Sequence, residues 1–434
     1  MLQVRSAPRP AYRAAANTSI AALVLIVSLF FLWGVANNLN DILIKQFKKA
    51  FELSDFQAGL VQSAFYLGYF LLAIPAGLCM RRFGYKAALV IGMLLYGAGA
   101  FLFYPAAAVH IYGVFLIALF VIASGLAFLE TSANPLVTVL GPPERAAWRL
   151  NLAQSFNPMG SITGVLIGQR FIFSGVEHTP SELGAMAPAA RHSYLVAESA
   201  AVGTPYLFIG VIVLVWALLI SLTRFPLAAT VDSAPRVQGY EGVASLRRLL
   251  DNPGFVLAVV AQFFYVGAQV GVWSFLIRYT QDAVPGTAEK LAANYLTASL
   301  VLFMFGRFSG TALMRYLAPV KLLAAFAAIN ILLTLTAVLL PGEFGVYCLV
   351  ACSFFMSIMF PTIFALGLAG FGDEERKLGS PLIVMAIIGG AILTALMGAL
   401  SDAAGMPRAM IVPVLCFIVI FIFALRTLLA AREY

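Results

Sequence analysis

Two carboxylates stand inside stretches that are otherwise apolar, and their surroundings give them the chemistry of proton carriers. Glu130 follows Ala123-Ser124-Gly125-Leu126-Ala127-Phe128-Leu129 and precedes Thr131-Ser132-Ala133-Asn134-Pro135. Asp41 follows Asn37, Asn38 and Asn40 and leads into Ile42, Leu43 and Ile44; a helix through this patch puts Asn37 and Asp41 on one face, a turn apart. An ionised carboxylate at the centre of a bilayer costs at least about 2.5–3.5 kcal/mol. The two protonation states of such a group therefore differ greatly in solvation, which suits it to loading a proton on one side of a membrane and releasing it on the other. His110, His178 and His192 all fall between the apolar runs, so at membrane depth only carboxylates are left for that work. A plainer role stays open for each: Glu130 as the structural partner of an arginine, Asp41 as a helix end beside Lys45, Lys48 and Lys49.

Side-chain amides form the second group. In Arg149-Leu150-Asn151-Leu152-Ala153-Gln154-Ser155-Phe156-Asn157-Pro158, Gln154 and Asn157 lie three apart on one helical face. Gln262, Tyr265, Gln269 and Trp273 repeat the theme at helical spacing, as a polar and aromatic stripe about three turns long. An amide offers both donors and an acceptor, which matches a hydroxyl, and aromatic rings stack on the C–H faces of a sugar. Hydrogen bonding between helices is the alternative for Gln154 and Asn157, and ordinary helix packing for Tyr265 and Trp273. Arg278 and Arg307, at or inside run edges, could pair with a carboxylate or a backbone carbonyl. Gly160, Gly164 and Gly168 make a small-residue stripe that favours close helix approach within one molecule.

The elements that must position these residues follow from composition. The chain is 62% apolar and 11% charged, against roughly 25% charged in a soluble domain. A water-soluble enzyme and a disordered chain are thereby excluded. The net charge of +8 lies in short segments between apolar runs, as membrane topology requires and nucleic-acid binding does not. Spans of about 20 residues fit near 20–46, 59–79, 87–107, 111–136, 150–172 and 204–223, and again near 254–279, 292–314, 322–340, 345–369, 380–400 and 408–430. The same rhythm in both halves marks a duplicated transporter. The expected organisation is a tail at 1–19, six helices over 20–223, a cytoplasmic linker at 224–253 and six helices over 254–430. With the N-terminus inside, cytoplasmic segments hold 18 Lys and Arg and outer ones 8, so both termini belong in the cytoplasm. The N-terminal run is too long for a signal h-region and counts as the first span. The outer connection 173–203, with Glu177, His178, Arg191 and His192, reads as solvated. Cys79, Cys348, Cys352 and Cys416 sit inside apolar runs as packing residues. No metal-ligand spacing, Walker loop or nucleophile elbow is present, so no cofactor, metal or catalytic residue is expected.

The connection Gly77-Leu78-Cys79-Met80-Arg81-Arg82-Phe83-Gly84-Tyr85-Lys86 resembles the loop after the second helix of the major facilitator superfamily. It departs where that family usually has an Asp and this chain has Arg81, which takes away the acidic member of the interdomain contact the motif implies. NNLND at 37–41, FQAGLVQSAFYLGYF at 56–70, LETSANP at 129–135, RLNLAQSFN at 149–157, YVGAQVGVWSFLIRY at 265–279, SIMFPTIFALG at 357–367 and SDAAG at 401–405 resemble the sugar:proton symporter family within it, its L-fucose carriers above all. The resemblance implies an all-α integral membrane protein of twelve transmembrane helices in two pseudo-symmetric six-helix halves. It implies that Asp41 is a protonation site, that Glu130 serves recognition and coupling, and that Asn157 belongs to the substrate cavity. Glucose and galactose carriers of the family tend to have an acidic residue at the position of Gln269, which favours L-fucose here.

The combined expectation is a proton-coupled transporter of the inner membrane that imports a monosaccharide, L-fucose, by alternating access and works as a monomer in the lipid bilayer. Asp41 and Glu130 would carry protons. Glu130, Asn157, Gln154, Asn37, Asn134, Gln262, Gln269, Tyr265 and Trp273 would meet the sugar. The alternatives are another hexose (glucose, galactose or N-acetylglucosamine), an uncoupled facilitator, and a sugar-sensing receptor in the same shape.

Overall fold

In hydrocarbon a backbone must satisfy its own N–H and C=O groups, and an apolar chain does so as helix. The computed structural model describes residues 20–53, 55–172, 178, 180–223 and 239–430, and among them it is helical with no strand. The side chains of Asn37, Asn38, Asn40 and Asp41 lie outside the described residues. The first helices are α1 (Ile20–Ala50), α2 (Asp55–Val109), α3 (Tyr112–Val139), α4 (Ala146–Gln154), α5 (Phe156–Phe171), α6 (Pro180–Ala185), α7 (Pro188–Ala200), α8 (Gly203–Leu222) and α9 (Gly239–Leu250). The others are α10 (Pro253–Ala283), α11 (Glu289–Leu313), α12 (Pro319–Leu339), α13 (Glu343–Met356), α14 (Met359–Gly367), α15 (Asp373–Met385), α16 (Gly389–Ala404), α17 (Met406–Ala409) and α18 (Ile411–Ala430).

Nine helical stretches among the described residues are long and apolar enough to cross a bilayer. One of them, Leu60–Val109, has 50 residues, about twice what a 30 Å core needs. Gly84 divides it, with φ 83° and ψ 170°, a conformation closed to a residue with a Cβ. With α1 and the α4–α5 pair the total becomes twelve crossings. Several crossings are jointed, at Ser155 between α4 and α5, at Ser357 and Ile358 between α13 and α14, and over Ala386–Ile388 between α15 and α16. Two buried apolar cores result. One is built on residues from Ile26 to Phe255 with Phe364, Leu368, Ile383 and Val384 added, and the other on residues from Ala258 to Ala424.

The glycine stripe does what its spacing implies, inside the monomer. A Cβ on Gly34 of α1 would run into the backbone of Asn157, one on Gly160 of α5 into the backbone of Phe31, and one on Gly164 would lie 2.6 Å from the Val35 carbonyl oxygen. The two helices therefore touch backbone to backbone, which only glycine permits.

Three features differ from the sequence reading. The connection 173–203 is not merely solvated: α7 docks on the end of α1. Its Glu198 is buried, takes hydrogen bonds from Gln46 Nε2 (2.8 Å) and pairs with Lys49 Nζ (2.9 Å). The linker is partly helical, since α9 lies within it and Arg248 pairs with Glu375 at 2.7 Å. Arg81 also has its contact, with the charges on the other helices: Arg81 Nε donates to Glu374 Oε2 (3.2 Å) and Tyr85 Oη to Asp373 Oδ1 (2.8 Å) at the start of α15.

Candidate functional site

A cavity of about 470 Å³ lies where α1, α2, α3 and α5 face α10 and α11, within the range of small-molecule sites. Its lining on the α4–α5 pair runs from Gln154 to Leu166 and on α10 from Val266 to Ser274, the parts of those helices distant from the linker side. On the linker side the two halves are closed by other contacts: Asn151 Nδ2 to Thr362 Oγ1 (3.0 Å), Ser380 Oγ to the Thr131 carbonyl (2.6 Å), and the Arg81 and Tyr85 bonds to α15.

Glu130 lines this cavity from α3 and is itself 2% exposed. Pro135 lies inside α3 without ending it, and the helix places Glu130 and Asn134 one turn apart. Gln154 lines the floor, and its Nε2 donates to Asn134 Oδ1 at 3.0 Å. Asn157 lines the wall and donates to the Phe30 carbonyl at 3.2 Å, where the glycine contact brings α1 and α5 together. Gln269 and Trp273 line the opposite wall; the Trp273 indole donates to Ser353 Oγ (3.1 Å) and stands edge-on to Phe303 at 4.9 Å.

The stripe on α10 is thus split. Gln262 and Tyr265 have no exposure, and neither belongs to the cavity lining. They lie further toward the linker side, where Tyr265 belongs to the core of the second half and packs edge-on to Phe360 at 6.1 Å. Asn134 also sits behind the lining, fully buried. Asp41 and Asn37 are on α1 but their side chains lie outside the described residues. Arg278 is exposed, with its guanidinium 5.9 Å from the Phe275 ring, away from the cavity.

Arg307 is the residue the sequence left without a role. It lines the cavity from α11, is 4% exposed, and has no ion-pair partner among the described residues. Its Nε donates to the Ser357 carbonyl (2.7 Å), its Nη1 reaches Gln154 (3.2 Å to the backbone oxygen, 3.4 Å to Oε1), and its guanidinium lies 4.7 Å from the Phe303 ring centre. Trp33, Gln62, Tyr66 and Ser161 are among the other polar and aromatic residues of the lining. None of these was singled out from sequence, because each is a common residue in an apolar run whose direction only packing decides.

The arrangement offers a ligand one carboxyl, one guanidinium, several amides and flat aromatic faces in a closed-ended space. Comparison with known proteins gives the same architecture. The L-fucose-proton symporter of Escherichia coli strain K12 is 51% identical over 93% of this chain and 92% of its own length. A Glucose/galactose transporter of Brucella abortus is 38% identical over 93% of each chain. A crystal structure of a Major Facilitator Superfamily transporter, FucP, in the outward conformation matches with a TM-score of 0.87 at 50% identity, over 94% of this chain and 99% of that one. The family model of the Major Facilitator Superfamily matches residues 18–385. By its twelve crossings, its multi-pass membrane character and these matches, the chain belongs to the Major Facilitator Superfamily.

Proposed function

We propose that this chain is a proton-coupled secondary transporter that imports L-fucose by alternating access. The observation that carries the reading is the placement of Glu130 as the one carboxyl in a cavity lined by amides, aromatic rings, apolar side chains and a single guanidinium. An acid at that depth, with no ion-pair partner among the described residues, is a costly feature that transport of a proton explains. The identity to the L-fucose-proton symporter of Escherichia coli supports both substrate and coupling.

In this reading the sugar enters from the open side. Its hydroxyls bond Gln154, Asn157, Gln269 and Glu130 while its C–H face stacks on Trp273. Protons on Asp41 and Glu130 remove the charges that resist closure into a dry state, because a ligand shifts an equilibrium only by its differential affinity for the two states. Asn37 and Asn134 orient the two acids, and Gln262 and Tyr265 meet the sugar only as the halves rock. The halves are 20–223 and 254–430, joined by the linker 224–253 after a tail at 1–19. The linker and both termini face the cytoplasm across the inner membrane, as the 18 to 8 bias of basic residues favours. The working unit is a monomer in the bilayer.

Reconstituted protein in liposomes tests this. Labelled L-fucose should accumulate when an inward proton gradient is imposed, with competition from fucose-like sugars and none from glucose or N-acetylglucosamine. Asp41→Asn should abolish uphill accumulation while sparing exchange. Competition by glucose moves the substrate to another hexose; equilibration indifferent to the gradient leaves a facilitator and removes the role of both acids.

A further inference from the structure

The polar groups at the cavity floor form one chain that starts at Glu130 on the first half and ends at Arg307 on the second. Glu130 lies one turn before Asn134 on α3, and Asn134 Nδ2 has no hydrogen-bond partner there. Asn134 Oδ1 accepts from Gln154 Nε2 at 3.0 Å. Gln154 Oε1 in turn accepts from Arg307 Nη1 at 3.4 Å, and Arg307 is anchored on its own half through Nε to the Ser357 carbonyl at 2.7 Å. A side-chain amide has one accepting end and one donating end, so the orientation of each amide dictates that of the next.

We propose that this chain is a flip relay: proton uptake at Glu130 reverses the Asn134 and Gln154 amides in turn and removes the side-chain acceptor that ties Arg307 to the opposite half. The proposal rests on the reading of Glu130 as a proton site. An ionised Glu130 is acceptor-only and draws the Asn134 Nδ2 end toward itself. That leaves Oδ1 for Gln154 Nε2, and Oε1 for Arg307, and these last two bonds are the ones observed. A proton delivered from the cavity to the carboxylate makes it an O–H donor, whose acceptor is Asn134 Oδ1. Nδ2 then turns to Gln154, Gln154 turns Oε1 to meet it, and Gln154 Nε2 is left pointing at the guanidinium, donor against donor. Arg307 keeps only its 3.2 Å contact with the Gln154 backbone oxygen, so α11 is held less firmly at the junction of α4 and α5.

Two features mark the chain as poised. Asn134 Nδ2 is buried with no acceptor within hydrogen-bond distance, so the amide is held at one end only. The 3.4 Å between Arg307 and Gln154 Oε1 is long beside the roughly 2.7–2.9 Å of a charge-assisted bond. The groups around Glu130 do not duplicate the switch. Tyr69 of α2 is the titratable group facing it, Arg149 of α4 binds the Val137 and Thr138 carbonyls, and Lys377 of α15 is held by Asp373 and Glu374. Asp41 of α1 lies outside the described side chains.

The test is a distance between spin labels at Arg82 and Tyr316, both exposed on linker-side turns of the two halves, read at neutral and acid pH with L-fucose present. Wild type should shift toward the longer distance on acidification. Gln154→Glu gives Arg307 an acceptor in every state, so the short distance should persist at both pH values and sugar counterflow should slow on the order of tenfold. Gln154→Met, which cannot accept, should favour the long distance at both. Opposite displacements by two substitutions at one site cannot come from misfolding, and titration of linker-side acids affects all three proteins alike. A Gln154→Glu protein that keeps the wild-type pH response overturns the relay while leaving proton coupling standing. A wild type with no response removes the reading of Glu130, and the relay with it.

Discussion

The two ends of the molecule each carry a cluster of charged and polar side chains, and they are built to opposite ends. On the side away from the linker, Glu198 of α7 meets Gln46 and Lys49 of α1, and His110 Nδ1 meets Ser199 Oγ at 2.8 Å; Glu198, Ser199 and Gln46 are all buried. All of these residues belong to the first half. On the linker side, Arg81 and Tyr85 reach Glu374 and Asp373 on the second half, with side chains 22% exposed at Arg81 and 40% at Glu374. Water can replace such bonds when they break, at small net cost. The buried cluster travels with its half as one body, while the solvated one lies where a transport cycle must part the halves and remake them.

Substitutions can separate the two roles. The largest effect belongs to Glu198→Ala, which removes the buried carboxylate that accepts from Gln46 and pairs with the Lys49 ammonium. Removing one member of a buried pair costs about 3 kcal/mol, and a fall in thermal unfolding temperature in detergent should report it whether or not sugar is bound. If unfolding is unchanged, the buried cluster is not structural. Arg81→Glu should cost about 1 kcal/mol or less in the same assay, yet open the linker side several-fold more often, seen as faster labelling of a cysteine introduced there. Adding Glu374→Arg should restore the wild-type rate; a double variant as open as the single one would show that the contact does not latch the halves.

The smallest effect concerns acidity. Burial, and then the neighbouring His192, hold the His110 pKa below its ordinary value. The unfolded chain therefore takes up a proton at a higher pH than the folded one. Stability is unaffected above the ordinary histidine range, falls as pH drops through it, and levels off below the folded value. Melting temperature against pH should show this slope in wild type and less of it in His110→Asn. An identical slope in both would place the titration elsewhere.

The span count, the basic turn after the second helix and the glycine stripe were legible in the chain because each depends on residues close in sequence. Glu130 was legible too, since an acid inside an apolar run needs no partner to be noticed. What sequence could not give was the direction of a stripe along a tilted helix. Gln262, Tyr265, Gln269 and Trp273 share one face of α10, but that face looks into the cavity at one end and is fully buried at the other. Pairings across long separations were equally hidden: Gln46 with Glu198, Arg81 with Glu374, and Gln154 with Arg307 are 152, 293 and 153 residues apart. No local pattern announces them, and the outer connection 173–203 looked solvated for that reason.

The contact of α1 with α5 through Gly34, Gly160 and Gly164 has a consequence for how relatives of this protein diverge. Two helices whose backbones touch offer no room for a larger residue, so the wall they form with Asn157 is fixed in shape. The facing wall, where Gln269 and Trp273 stand on α10, has its close glycine contacts, Gly267 and Gly271 against Leu393 and Met397, on a different face of the helix. A lineage shifting to a different sugar would accumulate its substitutions there, keeping one jaw as an heirloom and recutting the other.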